Sequence, residues 1–187
     1  MNDNCFRAPW GAPLAVMTGV CVVACLGFCA LGTVVGVGVG HLFAAWGLSV
    51  IPSWVGWVMA AMAFATLAGN AVFMVRGYVL TGVSLRIKRL GWESRIDLSE
   101  LISVAADPDA LRKSLRVWGN GGMFSFTGWF RNGKLGTYRA FVTDAKRAVV
   151  LRFPGRTMVV TPEDPGRFVN EVRLIPELQA KVNLIQP

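Results

Sequence analysis

Two stretches decide how this chain is read: Pro13–Val37, PLAVMTGVCVVACLGFCALGTVVGV, and Ser53–Val75, SWVGWVMAAMAFATLAGNAVFMV. Neither contains Lys, Arg, Asp or Glu, and the whole segment from Ala8 to Val75 lacks them. A bilayer-spanning helix needs roughly 20 apolar residues at about 1.5 Å each. The gap holds two such helices with a turn between them. It is too long to be the core of so small a soluble domain. The reading is a two-helix transmembrane hairpin, spanning about residues 13–37 and 53–75.

Outward from these runs, residues 1–10 read as an N-terminal tail and His41–Pro52 as the turn, punctuated by Trp46, Gly47 and Pro52. Trp10, Trp54, Trp57 and Tyr78 flank the spans, where amphipathic rings favour the headgroup layer. Arg7 is the one base ahead of the spans and the turn has none, whereas Arg76, Arg86, Lys88, Arg89 and Arg95 follow the second span. Because positive residues stay inside, both termini are placed in the cytoplasm. The chain then reads as a multi-pass protein of the cell (inner) membrane, integral in the lipid bilayer. A cleaved signal fits less well, since the apolar run after Arg7 is too long and no small-x-small site follows. Val22-Val23-Ala24-Cys25 loosely resembles a lipoprotein cleavage box, but Leu26-Gly27-Phe28 stays apolar where a polar tether belongs.

Within the first span, Cys21, Cys25 and Cys29 share one helix face. Thiolates there would be stripped of water at high cost, so packing is the better reading than a metal site. Gly32, Gly36 and Gly40 form a small-xxx-small series that admits close helix approach. The approaching helix is either that of a second copy, giving a homodimer, or the second span, which is already tethered nearby. Asn70 is the strongly polar side chain deep in the second span. It suits one interhelical hydrogen bond better than a conduction path.

The overall composition, 53% hydrophobic and 16% charged with mean hydropathy +0.48, averages two unlike halves. Asp3 and Arg7 cancel ahead of the gap, so the formal net charge of +8 lies entirely from Arg76 onward. Residues 76–175 are enough for one core, with 176–187 read as a C-terminal tail. All four cysteines precede this part, so it holds no disulfide.

From Tyr78 the pattern alternates. Leu85, Ile87 and Arg89 face opposite to Arg86 and Lys88, as in a half-buried strand. Leu90-Gly91-Trp92-Glu93 reads as a hairpin turn, Arg95–Leu98 as the returning strand, and Leu101–Ala106 as another strand ended by Asp107-Pro108-Asp109. Arg116–Phe124 is glycine-rich, with Gly119, Gly121 and Gly122 around Asn120, and reads as a loop needing positive φ. Its neighbouring aromatics, Trp118, Phe124, Phe126, Trp129 and Phe130, must be buried or touch something. Strands follow at Thr127–Arg131, Thr137–Val142, Ala148–Phe153 and Thr157–Val160, with turns at Asn132-Gly133 and Pro154-Gly155. A closing helix is signalled by Thr161 as cap, Pro162 at the first helical position and Asp164 three residues after the cap. Phe168, Val169 and Val172 supply its apolar face. The domain class is mostly β, α+β.

The run Arg116–Thr143, with its Gly-Asn-Gly-Gly, Gly128 and Gly136-Thr137-Tyr138-Arg139-Ala140-Phe141-Val142-Thr143, resembles the bacterial pleckstrin-homology-like family. Val160-Thr161-Pro162-Glu163-Asp164-Pro165 and Phe168 are similar to that family's closing strand and helix. The resemblance covers about Tyr78–Leu174 and implies a small PH-like barrel of two bent antiparallel sheets plugged by a C-terminal helix. It implies no activity, since the fold hosts many ligands. Eukaryotic lipid-reading members carry bases on the loop between their first two strands. Thr81-Gly82-Val83-Ser84 has none, which argues against specific phosphoinositide recognition.

Catalysis needs a base near a nucleophile. The single histidine, His41, lies in the predicted outer turn, and Asp107-Pro108-Asp109 suits a turn better than a metal. No P-loop or dinucleotide fingerprint occurs. The sequence therefore predicts no enzyme, cofactor or metal. Its leading reading is an interaction module that recruits a protein partner at the cytoplasmic face. The alternative is direct binding of anionic lipid by the basic domain, at about 1 kcal/mol per well-placed base. Nucleic acid is not expected, because the anchor holds the domain at a membrane. The candidate partner or lipid contacts are Arg86, Lys88, Arg89, Trp92, Arg116, Trp118, Asn120, Phe124, Trp129 and Arg131.

Overall fold

A computed structural model describes residues 4–34, 54–121, 123–176 and 178. Helix α1 covers Ala12–Thr33, with Pro13 in its first turn, and α2 covers Trp54–Val72. At 22 and 19 residues they measure about 33 and 28 Å. Both are apolar on every side and bury few side chains, unlike the core helices of a soluble protein. They are long and apolar enough to cross a bilayer.

The helices pack on each other. A Cβ added at Gly32 would lie 3.3 Å from the Gly56 carbonyl oxygen and 3.3 Å from Met59 Cβ. The Cys29 thiol reaches the Ala60 carbonyl oxygen at 3.8 Å. Asn70 departs from the sequence reading. Its amide donates to the Thr66 carbonyl of its own helix at 2.8 Å, not to the other span. Gly36, Gly40 and His41 lie outside the described residues.

The first surprise lies ahead of α1. Asn4–Arg7 is not a tail but a strand, β1, antiparallel to β2 (Gly77–Thr81) in the register Asn4↔Leu80 to Arg7↔Gly77. Phe6 is buried and meets Phe168 edge-on at 5.2 Å. The chain thus enters and leaves the helical pair through neighbouring strands. Cys5 and Phe6 set two apolar residues side by side, so no period of two marks this strand in the sequence.

Strands β3 (Ser84–Lys88) and β4 (Glu93–Asp97) complete a sheet of order β1-β2-β3-β4. The second sheet holds β5 (Ser103–Ala106), β6 (Leu115–Gly121), β7 (Phe126–Asn132), β8 (Gly136–Val142), β9 (Val149–Phe153) and β10 (Arg156–Val160). Its order is β5-β9-β10-β8-β7-β6. The family resemblance implies antiparallel pairing, but β8 and β10 run parallel, because the β9–β10 hairpin turns back between β5 and β8.

The glycine-rich segment is a second correction: it is largely strand rather than loop. Gly119 faces Gly128 across β6 and β7, with φ of +115° and +144°. A Cβ at Gly128 would fall 2.2 Å from the Trp118 carbonyl oxygen, and one at Gly119 2.4 Å from that of Thr127. The register also shifts between Arg116 and Trp118. These glycines let two backbones touch at a bulge.

The main core lies between the sheets and takes in Leu85, Ile87, Phe141, Leu151 and Val160. Helix α3 (Pro165–Arg173) closes it with Phe168, Val169 and Val172. Ile175 and Leu178 join the same cluster, so the packed chain runs past residue 175. The cap of α3 is also corrected. Asp164, not Thr161, is its N-cap and accepts the Arg167 N–H at 2.9 Å, with Pro165 following. The segment Thr161–Pro165 offers two overlapping cap-and-proline registers, and Thr161 is engaged elsewhere.

Its hydroxyl accepts the Thr143 N–H at 2.9 Å, while its own N–H donates to the Tyr78 hydroxyl at 3.2 Å. Tyr78 in turn donates to the Phe141 carbonyl at 2.6 Å. Tyr78, read from sequence as an interface anchor, is 0% exposed. It ties β2 to the second sheet, and burial pushes its pKa up to about 12.

Candidate functional site

The part of the domain that meets the helices is built from the β3–β4 turn, the β6–β7 tip and the end of β8. After the last residue of α2, the Phe73 and Met74 N–H groups satisfy the carbonyls of Asn70 and Ala71. The next two carbonyls are met from the domain: Trp92 Nε1 donates to Val72 at 3.1 Å, and the Ser125 hydroxyl to Phe73 at 3.4 Å. A helix end leaves such carbonyls unpaired unless something caps them. Here the β3–β4 turn and the β6–β7 tip do so.

The same tip holds α1. The Phe124 N–H donates to the Thr18 hydroxyl at 2.9 Å, and the Phe124 ring meets Trp10 at 6.2 Å. Phe124 pays for this position with a positive φ of 63°. Asn120 steadies the tip by bonding both N–H and carbonyl of Met123 through its side chain. Gly11, ahead of α1, donates its N–H to the Thr143 carbonyl at 3.0 Å. We call this end of the domain its base.

Arg89 sits inside the base, only 7% exposed. Its guanidinium carbon lies 4.2 Å from the Trp92 ring centroid, 5.3 Å from Phe141 and 5.9 Å from Phe73. Its Nε has no hydrogen-bond partner among the described residues. Arg139, on β8, places its guanidinium 5.1 Å from the same Phe141 ring. Burial first, and the like charge of Arg139 second, pull the Arg89 pKa below its ordinary value, against a smaller opposing effect of Tyr78. Such rings favour a cation face-on.

The other residues singled out from sequence fall into separate places. Arg86 and Lys88 lie on the outer face of the four-stranded sheet, opposite Arg95 and Glu93. Trp118 and Trp129 pair across β6 and β7. Arg116 reaches the Gly119 carbonyl at 3.4 Å along its own strand, and Arg131 lies opposite Leu115. Strand β6 ends the six-stranded sheet. It exposes Leu115 at 75%, Val117 at 59% and Trp118 at 77%. The structure thus brings Arg89, Trp92, Asn120 and Phe124 to the base, but not Arg86 or Lys88.

Sequence reasoning missed Thr18, Ser125 and Arg139. No periodicity marks a hydroxyl that caps a distant helix, and Arg139 alternates like any outward strand residue. The Asp107 side chain accepts the Asp109 N–H at 3.2 Å and pairs with Lys134, as a turn residue does.

A family model described as "Bacterial PH domain" matches residues 76–174. No curated protein and no solved structure matches the chain. The matched segment takes in β2 to α3, that is, both sheets except β1 together with the closing helix. More than half of the chain is covered, and on that footing it belongs to the bacterial PH domain family.

Proposed function

We propose that this protein is a membrane-anchored, non-enzymatic interaction module. In this reading α1 and α2 cross the cell membrane, both termini lie in the cytoplasm, and the PH-like domain recruits a protein partner there. The single observation that carries it is the outer edge of β6, which no other strand among the described residues pairs. An edge strand offers a row of unpaired backbone groups, and natural proteins blunt such edges with charge, proline or cover. This one has Arg116 and the irregularity beside it, yet still exposes Leu115, Val117 and Trp118. A partner strand added to that edge would gain backbone hydrogen bonds and bury these side chains, a recurring recognition mode.

The paired β1 and β2 support the topology. They hold the entry and exit of the helical pair on one side, as an even number of crossings requires. Resistance of the full-length chain to alkaline carbonate extraction tests the anchoring. Affinity capture from detergent tests the edge: a stoichiometric partner is expected with the native chain and absent with Trp118→Ala. Undiminished capture with Trp118→Ala counts against the edge. A second reading, direct contact with anionic lipid, is favoured by the buried Arg89 at the base.

A further inference from the structure

We propose that Arg89 and Arg139 form a site for the phosphate of an anionic phospholipid headgroup, at the level where α2 leaves the bilayer. The inference rests on the reading that α1 and α2 cross a membrane, and it deepens the lipid reading above to one site.

Charge is the first ground. A buried guanidinium is costly unless it is paired and hydrogen-bonded. The ion pairs among the described residues are Lys134–Asp107, Arg147–Asp144 and Arg167–Glu171, and none involves Arg89 or Arg139. Two guanidiniums therefore crowd one ring, that of Phe141, with no carboxylate on either. The carbonyl end of α2 contributes only about half a negative charge. Its carbonyls at Val72 and Phe73 are moreover taken by Trp92 and Ser125. The aromatic faces offset part of that cost for the buried Arg89, about 0.5–2 kcal/mol for each contact, and leave its charge unneutralised.

Depth is the second ground. Arg89 touches Phe73, the residue after α2 ends, and Trp92, which is bonded to the last residue of that helix. In a spanning helix those positions lie at the headgroup layer, where phosphates are concentrated. Leu90 and Trp92 expose apolar surface on the same turn, as suits a turn resting among headgroups. A free phosphate would gain the same two guanidiniums but nothing from Leu90 and Trp92. That difference favours the lipid as the source. Arginine presents paired donors that match phosphate oxygens, and such charge-assisted bonds are the stronger kind.

Native mass spectrometry of the full chain in mild detergent, titrated with phosphatidylglycerol or with phosphatidylcholine, tests the site. A preference for phosphatidylglycerol of at least about fivefold is expected. Arg139→Gln, an exposed position that leaves the fold intact, should abolish that preference, and Arg86→Gln on the opposite face should keep it. Arg89→Gln should act like Arg139→Gln; should it unfold the domain, Arg139→Gln still decides. Equal binding of the two lipids, or equal losses in Arg139→Gln and Arg86→Gln, overturns the proposal. Displacement of phosphatidylglycerol by millimolar inorganic phosphate would also overturn it, by making free phosphate the ligand. Carbonate extraction of the same chain separates the two failures. A chain that resists extraction yet shows no lipid preference loses only this site, whereas a chain that washes off loses the anchoring itself.

Discussion

Trp92 and Trp118 stand at opposite extremes of the same domain. Trp92, at the base, is 40% exposed, yet its indole N–H caps α2 and its ring faces Arg89. Trp118, on the edge strand, is 77% exposed and stands opposite Trp129 across the hairpin. The base spends its polar groups on closing a helix end and holding a buried charge. The edge leaves its aromatic surface exposed, and Arg116 engages the Gly119 carbonyl of its own strand. Exposure alone therefore does not rank candidate contacts. The tryptophan with structural duties should cost stability when altered, and the one without them should cost only binding.

Four substitutions separate these regions. The largest effect is expected where the edge hairpin is itself tightly built. Gly128→Ala forces a Cβ to 2.2 Å from the Trp118 carbonyl at a φ of +144°. It should cost about 3 kcal/mol in chemical unfolding of the full chain in micelles. An unchanged midpoint would mean that β6 is not pinned to β7 there.

Tyr78→Phe comes next. It leaves the Thr161 N–H and the Phe141 carbonyl without their buried partner, at about 2 kcal/mol. It should also change the alkaline response. The Tyr78 phenol stays protonated in the folded chain up to about 12, while the unfolded chain ionises near 10.0. Stability should therefore be complete below the lower value and fall as pH rises between the two. Melting curves of Tyr78→Phe should show a smaller decline, since burial also raises the Tyr138 pKa and that residue remains; a decline of equal size in the variant would exclude Tyr78 as a source.

Trp92→Phe keeps the ring over Arg89 and removes the bond to Val72. About 1 kcal/mol is expected, read from the same unfolding curves. Trp118→Ala sets the lower bound, within about 0.5 kcal/mol of the native chain. If it destabilised as much as Trp92→Phe, the contrast between base and edge would collapse.

The helices were legible because the absence of charge over Ala8–Val75 is a bulk property that no tertiary contact is needed to interpret. Strands β7 to β10 were legible for a similar reason. Alternation and the Asn132-Gly133 and Pro154-Gly155 turns act over a few residues. The glycine-rich run misled, because Gly119 and Gly128 suit a loop and a close strand pair equally well, and only their pairing decides between them. The candidate site was legible in part. Arg89, Trp92, Asn120 and Phe124 stood out by type, but their common place at the base did not.

By itself, the amino-acid order determined the apolar helical pair, the class of the domain behind it and the apolar face of its closing helix. Those depend on hydrophobic period and composition, which act along the chain. Tertiary structure alone decided that Asn4–Arg7 is a strand, that Tyr78 is buried, and that Trp92 and Ser125 cap α2. It also decided that Arg89 and Arg139 share one ring. Each of these joins groups far apart in the chain. A polar side chain's role is set by the partner that folding brings to it, and no local pattern records that partner.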